Sequence, residues 1–163
     1  MGGHLKRLEE DYELIAKKRP ILAREGTQNL RYEITDHFLR FWFRYFEKYS
    51  SLIEISNFKA LANIIKNDYT TYSGISLEYY FRQRMEESQE YRKIGSWWRS
   101  KGNPCEIDIV GIYTDNKKAV IAEVKRQQKN FKPELLQKKE EIIRNKILST
   151  YEIQSKCLSM EDM

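Results

Sequence analysis

Two neighbouring segments of the sequence, residues 106–113 and 118–125, place charged side chains among apolar ones. Side chains on a β-strand alternate between its two faces, so each segment, interpreted as a strand, has one face that mixes both kinds. These faces carry Glu106, Asp108, Val110 and Ile112 in the first segment, and Ala119, Ile121, Glu123 and Lys125 in the second. The pattern predicts charges on a partly apolar sheet surface.

The pairing of these two strands decides whether their carboxylates meet. If Asp115-Asn116 is the tip of a hairpin, Asp108 lies opposite Glu123. The same register places Glu106 opposite Lys125. Directly opposed Cβ atoms are roughly 5 Å apart, so two carboxylates would share one face. Lys125 would follow about 6.6 Å along the strand from Glu123.

Two carboxylates at this distance repel each other. A shared proton, a nearby cation or a bound divalent metal relieves the repulsion, and hard ions such as Mg²⁺ prefer oxygen ligands of this kind. The alternative is a ladder of salt bridges on a solvated face, which is common in sheets. The interleaved Val, Ile and Ala side chains argue against that alternative, because they indicate a face that is at least half buried.

A third carboxylate, that of Glu78, is predicted on a helix that Ser76 caps. At about 100° per residue, Glu78 lies about 20° from Met85 and about 60° from Phe81, on the inward-facing stripe of the helix. Glu78 either points at the same sheet face and completes the acidic cluster, or is an N-terminal carboxylate favoured by the helix dipole. Periodicity leaves both interpretations open.

The elements that would position these residues follow one another from Gly74 to the end of the chain. Hydrophobic periodicity and turn residues predict a helix, three strands, a helix and a short strand. The predicted bounds are residues 76–90, 91–98, 106–113, 118–125, 133–148 and 151–154. The second half of the sequence therefore predicts a mixed α/β (α+β) domain.

The amino-terminal segment predicts smaller elements. A helix over residues 5–12 precedes two strand-like runs, residues 12–22 and 30–34. One helix and one hairpin cannot enclose a core, so the chain is expected to begin within a larger module.

Two further helices are predicted between these regions. Thr35 or Asp36 can cap a helix that extends to about Tyr49 and carries aromatic residues on nearly all sides. We expect this helix to be buried. An amphipathic helix is predicted over residues 57–68.

The composition narrows the class of protein. With 29 Lys and Arg against 24 Asp and Glu, the formal charge is +5, which favours a polyanionic partner or simply good solubility. The two cysteines have no paired spacing, which predicts a reducing cytoplasm. No segment predicts a membrane span or a signal peptide, and no glycine loop ends in Gly-Lys-Ser/Thr. A cytoplasmic protein without membrane association is expected.

The motifs around the acidic pair resemble those of the PD-(D/E)XK nuclease superfamily. Glu-Ile-Asp-Ile-Val-Gly at residues 106–111 and Ala-Glu-Val-Lys at 122–125 are similar to its Asp and its Glu-x-Lys, and the order of elements is also similar. Ile107 stands where the superfamily's name has proline. The resemblance implies a restriction-endonuclease-like core. Its implied ligands for Mg²⁺ or Mn²⁺ and its implied catalytic lysine are Asp108, Glu123, Glu78 and Lys125.

A second resemblance covers nearly the whole chain. The sequence at residues 36–43, Trp97-Trp98-Arg99 and the last six residues, 158–163, are similar to the C-terminal region of a prokaryotic AAA-type ATPase family. That family joins an ATPase module, a winged helix and a nuclease-like tail in one polypeptide. The resemblance implies a partial winged helix over residues 1–35, a helical connector over 36–73 and a nuclease-like domain over 74–163.

Together these features predict a metal-dependent phosphodiesterase that acts on DNA. Asp108 and Glu123 would bind the metal, Glu78 would hold a second ion or a metal-bound water, and Lys125 would position the attacking water. Glu106 is the next candidate for a site residue, because it shares the predicted face of Asp108. The alternative is a catalytically inactive module that keeps the nuclease fold and binds DNA or regulates the ATPase.

Overall fold

The computed structural model describes residues 2–99, 101, 104–114 and 117–163. The chain divides into two compact units. The first comprises Met1–Lys18 and Leu30–Thr70, and the second comprises Arg19–Asn29 and Thr71–Met163. Within the described ranges, no helix has both the length and the apolar character needed to cross a membrane.

A helix and a hairpin begin the first unit. Helix α1 spans Gly2–Glu10, and strands β1 (Ile15–Lys18) and β2 (Arg31–Ile34) pair antiparallel. The predicted order of helix and hairpin is confirmed. The first strand is shorter than the predicted residues 12–22, and the nearby Pro20 gives a reason, because proline has no backbone N–H to donate to a ladder.

The aromatic segment that follows begins with a capped helix. Helix α2 spans His37–Phe41, and the Asp36 side chain caps it by accepting a hydrogen bond from the backbone N of Leu39 at 2.7 Å. A π-helix continues it over Trp42–Glu47, and helix α3 spans Ser50–Glu54. The predicted cap at Asp36 is confirmed, whereas the prediction of a single regular helix to Tyr49 is wrong.

The aromatic side chains of this segment are less buried than predicted. Tyr45 is buried, but Phe38, Trp42 and Phe43 are 65%, 40% and 50% exposed. The expectation of a helix buried on nearly all sides is therefore wrong. Part of the apolar contact is made within the helix itself, since the ring of Trp42 stacks on that of Phe46 with 5.1 Å between centroids.

A polar cluster joins the π-helix to Asp68, which lies in the helix that follows α3. The guanidinium of Arg44 donates two hydrogen bonds to the carboxylate of Asp68, from Nε at 2.5 Å and from Nη2 at 2.9 Å. The hydroxyl of Tyr45 donates a third at 2.7 Å. A bidentate pair of this kind fixes geometry as well as adding attraction.

Helix α4 spans Phe58–Glu87, 30 residues without a break. The sequence predicts two helices in this region, over residues 57–68 and 76–90, and this division is wrong. A glycine inside a helix costs only about 1 kcal/mol, so Gly74 does not end it. The hydroxyl of Ser76 donates to the carbonyl of Tyr72 at 3.4 Å, as serines inside helices do, instead of capping a new helix.

Four strands form the sheet of the second unit. They are β3 (Tyr91–Arg99), β4 (Cys105–Tyr113), β5 (Lys118–Lys125) and β6 (Glu152–Ser159), in that order across the sheet. The first two pairings are antiparallel and the third is parallel. Helix α5 (Pro133–Lys146) lies between β5 and β6 in the chain, as a parallel pair requires a crossover.

The predicted succession of helix, three strands, helix and strand is confirmed, and with it the mixed α/β (α+β) class. Strand β6 is longer than the predicted residues 151–154, because it pairs with β5 from Lys118 to Lys125. The predicted hairpin tip, Asp115-Asn116, lies outside the described residues.

Apolar side chains cover both faces of this sheet. One cluster joins strand residues to α5, and the other joins strand residues to the second half of α4. The helical members are Leu136 and Ile143 in the first cluster, and Leu77, Phe81 and Met85 in the second. Because both faces are covered, β4 and β5 are nearly continuous apolar runs, and their few charged residues lie close to the core.

Candidate active site

Strand β4 is irregular at Asp108. Opposite β5 the observed pairs, from Ile109–Ala122 to Ile112–Ala119, have the predicted register. The predicted pairs Asp108–Glu123 and Glu106–Lys125 are not among them. Opposite β3 the register shifts. Gly95 pairs with Val110 and Trp97 pairs with Ile107, so β4 has one more residue than β3 between these two pairs. Such a bulge redirects the side chains next to it.

The bulge changes which side chains of β4 share a face. Ile107 packs in the same cluster as Val110 and Ile112, which strict alternation would place on the opposite face. The predicted face, with Glu106 and Asp108 beside Val110 and Ile112, is therefore wrong. On β5 the alternation is intact. Glu106 is exposed.

The carboxylate of Asp108 reaches across to β5. Its Oδ2 accepts a hydrogen bond from the backbone N of Val124 at 2.8 Å and lies 4.0 Å from Nζ of Lys125. Its backbone carbonyl accepts from Nη2 of Arg82 on α4 at 3.3 Å. Burial and the negative charge of Glu123 raise the pKa of Asp108, although the Val124 hydrogen bond and nearby lysine charges oppose them.

Glu123 is buried, and lysines contact both of its carboxylate oxygens. Its Oε2 accepts from Nζ of Lys125 at 3.1 Å, and its Oε1 accepts from Nζ of Lys139 on α5. The side chain is only 8% exposed, so these contacts offset the cost of burying its charge.

Lys125 lies between the two carboxylates. Burial lowers the pKa of Lys125, but the hydrogen bond to Glu123 and the surrounding negative charges outweigh it, so the pKa lies above the ordinary value. The amine is therefore protonated at neutral pH. The structure thus brings Asp108, Glu123 and Lys125 together, as the sequence predicts.

Glu78 approaches the same group of charges from α4. The helix begins at Phe58, so Glu78 is far from its N-terminus, and the interpretation as a dipole-stabilised terminal carboxylate is wrong. Burial and the negative charge of Asp108 raise the pKa of Glu78 to about 7, although the positive charge of Arg82 opposes them. The charge of Lys125 also acts on Glu78, and it lowers the pKa of this residue.

Sequence reasoning missed Lys139 and Arg82. Lys139 lies three residues after Leu136 and four before Ile143, so it is on the apolar stripe of its helix. A lysine at such a position could have indicated a buried partner. Arg82 follows Glu78 by one helical turn, which is the spacing of an acid and base pair on one helix face.

The structure brings together only some of the side chains that would be needed to bind a metal ion. In the part of the chain that the structure describes, no three His, Cys, Asp or Glu side chains are grouped closely enough to hold a metal ion. Asp108 and Glu123 do supply the carboxylate oxygens that Mg²⁺ or Mn²⁺ prefers. A metal on Glu123 would share the carboxylate oxygens with the ammonium groups of Lys125 and Lys139. Metal binding, and Glu78 as a third ligand, therefore stay predictions.

Comparison with known proteins identifies the family. DUF234, described as archaeal and bacterial proteins of unknown function, matches residues 42–147. An uncharacterized protein of Methanocaldococcus jannaschii is 34% identical over 129 residues, which make up 75% of this chain but 28% of that protein. No solved structure matches the chain. Because the match covers more than half of the chain, including all of β3, β4 and β5, the protein belongs to the DUF234 family.

Proposed function

We propose that the second unit is a metal-dependent DNA phosphodiesterase, a nuclease with a PD-(D/E)XK type of core. The observation that carries the proposal is the meeting of Asp108 and Glu123 at one protonated lysine, Lys125. Placing two acids and an amine beside an apolar core costs desolvation free energy. Groups of this kind are common at functional sites. The order of elements and the net charge of +5 also support a nuclease that acts on DNA.

Each side chain has a role in this proposal. Asp108 and Glu123 hold Mg²⁺ or Mn²⁺, which supplies charge neutralisation at the phosphate. Lys125 donates hydrogen bonds to the attacking water and to the phosphate oxygens, on which negative charge develops. Glu78, whose pKa is raised to about 7, can hold or release a proton near neutral pH and so can orient a water.

The proposal extends to the larger polypeptide. The chain spans only 28% of the length of the Methanocaldococcus jannaschii relative, so a region of this kind occurs within a much longer protein. We propose that the longer form carries an AAA-type ATPase module, that residues 1–35 are part of a winged helix and 36–73 a connector, and that it acts on DNA in the cytoplasm.

The test is DNA cleavage by the parent and by three variants. The parent should nick or degrade DNA only with Mg²⁺ or Mn²⁺ present. Asp108→Asn should abolish cleavage while the protein stays folded, and Glu152→Gln, an exposed carboxylate of β6, is the matched control that should cleave like the parent. Lys125→Ala should abolish cleavage with a smaller effect on metal affinity.

Thermal melts provide a readout of metal binding without catalysis. An ion at 100 times its Kd stabilises the parent by about 2.7 kcal/mol, and Asp108→Asn should lose most of that gain. Without metal, Asp108→Asn should be as stable as the parent or slightly more so, because it relieves carboxylate repulsion. Glu123→Gln is less clean, since it also removes the contacts to Lys125 and Lys139.

One observation favours the alternative, a catalytically inactive module for DNA binding or for regulation of the ATPase. In the described ranges the acidic side chains are not grouped as a three-ligand metal site, and lysines contact Glu123. A parent whose melting temperature ignores millimolar Mg²⁺ and Mn²⁺, and which leaves single- and double-stranded DNA intact, would establish this alternative over the nuclease.

A further inference from the structure

A pocket of about 320 Å³ lies beside Glu123, where β5 meets the first turns of α5. Three lysines, Lys125, Lys132 and Lys139, line it together with that one carboxylate. The lining therefore has an excess of positive charge, which favours an anion. Phe131 and Leu135 give the pocket an apolar wall.

The contacts to Glu123 leave donors for a second acceptor. A lysine ammonium carries three N–H donors, and Glu123 accepts one from Lys125 and one from Lys139. Each of these two ammonium groups can therefore hold the carboxylate and still donate to an anion in the pocket. Glu123 also keeps both amines near the pocket, which lowers the entropy cost of binding.

The backbone of α5 adds to the positive character. The helix begins at Pro133, and the pocket is lined by residues that flank this N-terminus, Lys132 and Leu135 among them. Helix N-termini carry partial positive charge and favour phosphate groups. Glu134 in the first turn offsets part of this charge, so the lysine cluster carries the argument for an anion.

We propose that this pocket binds a phosphate group of the DNA strand, with Lys139 and Lys132 as ligands and the adjoining sugar against Phe131 and Leu135. Glu123 belongs both to this pocket and to the acidic pair. The bound phosphate is therefore a neighbour of the one that is cleaved. The assignment of the strand as DNA substrate rests on the proposed nuclease function, but binding at the pocket does not require cleavage.

Binding without metal tests the pocket separately from catalysis. The full chain is titrated into a fluorescently labelled single-stranded DNA octanucleotide with EDTA present, and anisotropy is measured over a range of NaCl concentrations. Lys139→Gln should weaken binding about 10-fold, the effect of losing one charge-assisted hydrogen bond. The slope of log K against log salt should become shallower by about 0.7, as expected for one lost phosphate contact on a single strand.

Two matched variants separate this role from general charge and from folding. Lys138→Gln removes the same charge from an exposed neighbour on α5 and should leave affinity and slope unchanged. Lys139→Arg should restore both. Lys132→Gln changes an exposed residue, so it should keep the fold intact even if Lys139→Gln does not, and it should also make the slope shallower.

The outcomes distinguish the two proposals. Equal effects of Lys138→Gln and Lys139→Gln, or a parent that does not bind the octanucleotide, would overturn the phosphate pocket. A parent that binds through Lys139 and Lys132 but never cleaves DNA with Mg²⁺ or Mn²⁺ would keep the pocket and reject the nuclease.

Discussion

The two units of the chain differ in how they use their apolar side chains. Among the described residues, the first unit contributes only Tyr45 and Leu61 to the fully buried hydrophobic side chains, and the second contributes all the others. The large exposed hydrophobic side chains show the reverse. Those of the first unit are Tyr12, Tyr32, Phe38, Trp42, Phe43, Ile55, Phe58 and Tyr69, against Leu135, Met160 and Met163 in the second.

This difference shows that apolar content does not by itself establish a core. In the second unit a sheet covered on both faces buries its side chains and fixes the backbone that carries Asp108 and Glu123. In the first unit the best-defined interactions are local or polar, such as the Asp36 cap and the cluster of Arg44, Tyr45 and Asp68. An exposed aromatic surface of this kind is typical of a region that contacts other protein.

Truncation of one apolar side chain in each unit tests this difference in burial. Ile121→Ala in the sheet, where the side chain is 0% exposed, should lower the free energy of unfolding by about 2–5 kcal/mol, through lost burial and a residual cavity. Phe38→Ala, a larger truncation at an exposed position, should change it by no more than about 0.5 kcal/mol. Urea denaturation followed by circular dichroism measures both.

A large effect of Phe38→Ala would contradict the exposure of the aromatic surface. A loss for Phe38→Ala as large as that for Ile121→Ala would mean that the aromatic surface is covered in solution, for example by another copy of the chain. Sedimentation equilibrium of the parent is the control, because a monomer has no second copy to cover that surface.

The sequence predicted the second unit better for a physical reason. Strands β4 and β5 alternate or run apolar between turn residues, so their bounds and their register from Ile109 onward followed from the pattern. The group of Asp108, Glu123 and Lys125 followed from the pairing of β4 with β5 and from motif resemblance, although the predicted pairing of Asp108 with Glu123 is not observed. The bulge at Asp108 did not, because it depends on how β3 packs and not on any local residue type.

The other differences between the predicted and the observed structure have other causes. Gly74 and Ser76 suggested a helix boundary, but tertiary context overrides weak local preferences, and α4 continues through them. The aromatic run at α2 has the periodicity of a buried helix, yet periodicity reports only which side chains share a face. Lys139 was missed because a lysine is assumed to face solvent unless its partner, here Glu123, is known.

Glu78 should make the stability of the second unit depend on pH. The pKa of Glu78 lies at about 7 in the folded protein, above the 4.5 of an unperturbed glutamate, mainly because of burial. The folded state therefore keeps a proton that the unfolded state releases between these values, and stability should fall as the pH rises from 4.5 to 7. The expected loss is on the order of 3 kcal/mol and is complete about one unit above pH 7.

Glu78→Gln removes this ionisation and should flatten the decline, so the variant should be more stable than the parent at pH 8 and similar at pH 4.5. Glu86→Gln, an exposed glutamate on the same helix, is the matched control and should keep the parent's pH dependence. Urea midpoints at several pH values measure the difference. A parent whose stability rises over this window would contradict the burial of a charged Glu78.

Asp68 of the first unit should make stability depend on pH in the opposite direction. The hydrogen bonds from Arg44 and Tyr45 hold the pKa of Asp68 at about 2, below the ordinary 3.8. Because the folded state binds this proton less readily than the unfolded state, the stabilisation is complete above pH 3.8 and is lost as the pH falls through 2. Asp68→Asn should remove this acid sensitivity, whereas Tyr45→Phe, which leaves the Arg44 hydrogen bonds in place, should cost about 1 kcal/mol at neutral pH and reduce the acid sensitivity only in part. Labelling with 5-fluorotryptophan allows each unit to be followed separately by ¹⁹F NMR, because Trp42 lies in the first unit and Trp97 and Trp98 in the second. Acid should therefore shift the Trp42 signal in the parent but not in Asp68→Asn, and equal acid sensitivity in the two proteins would show that the polar cluster does not stabilise the first unit.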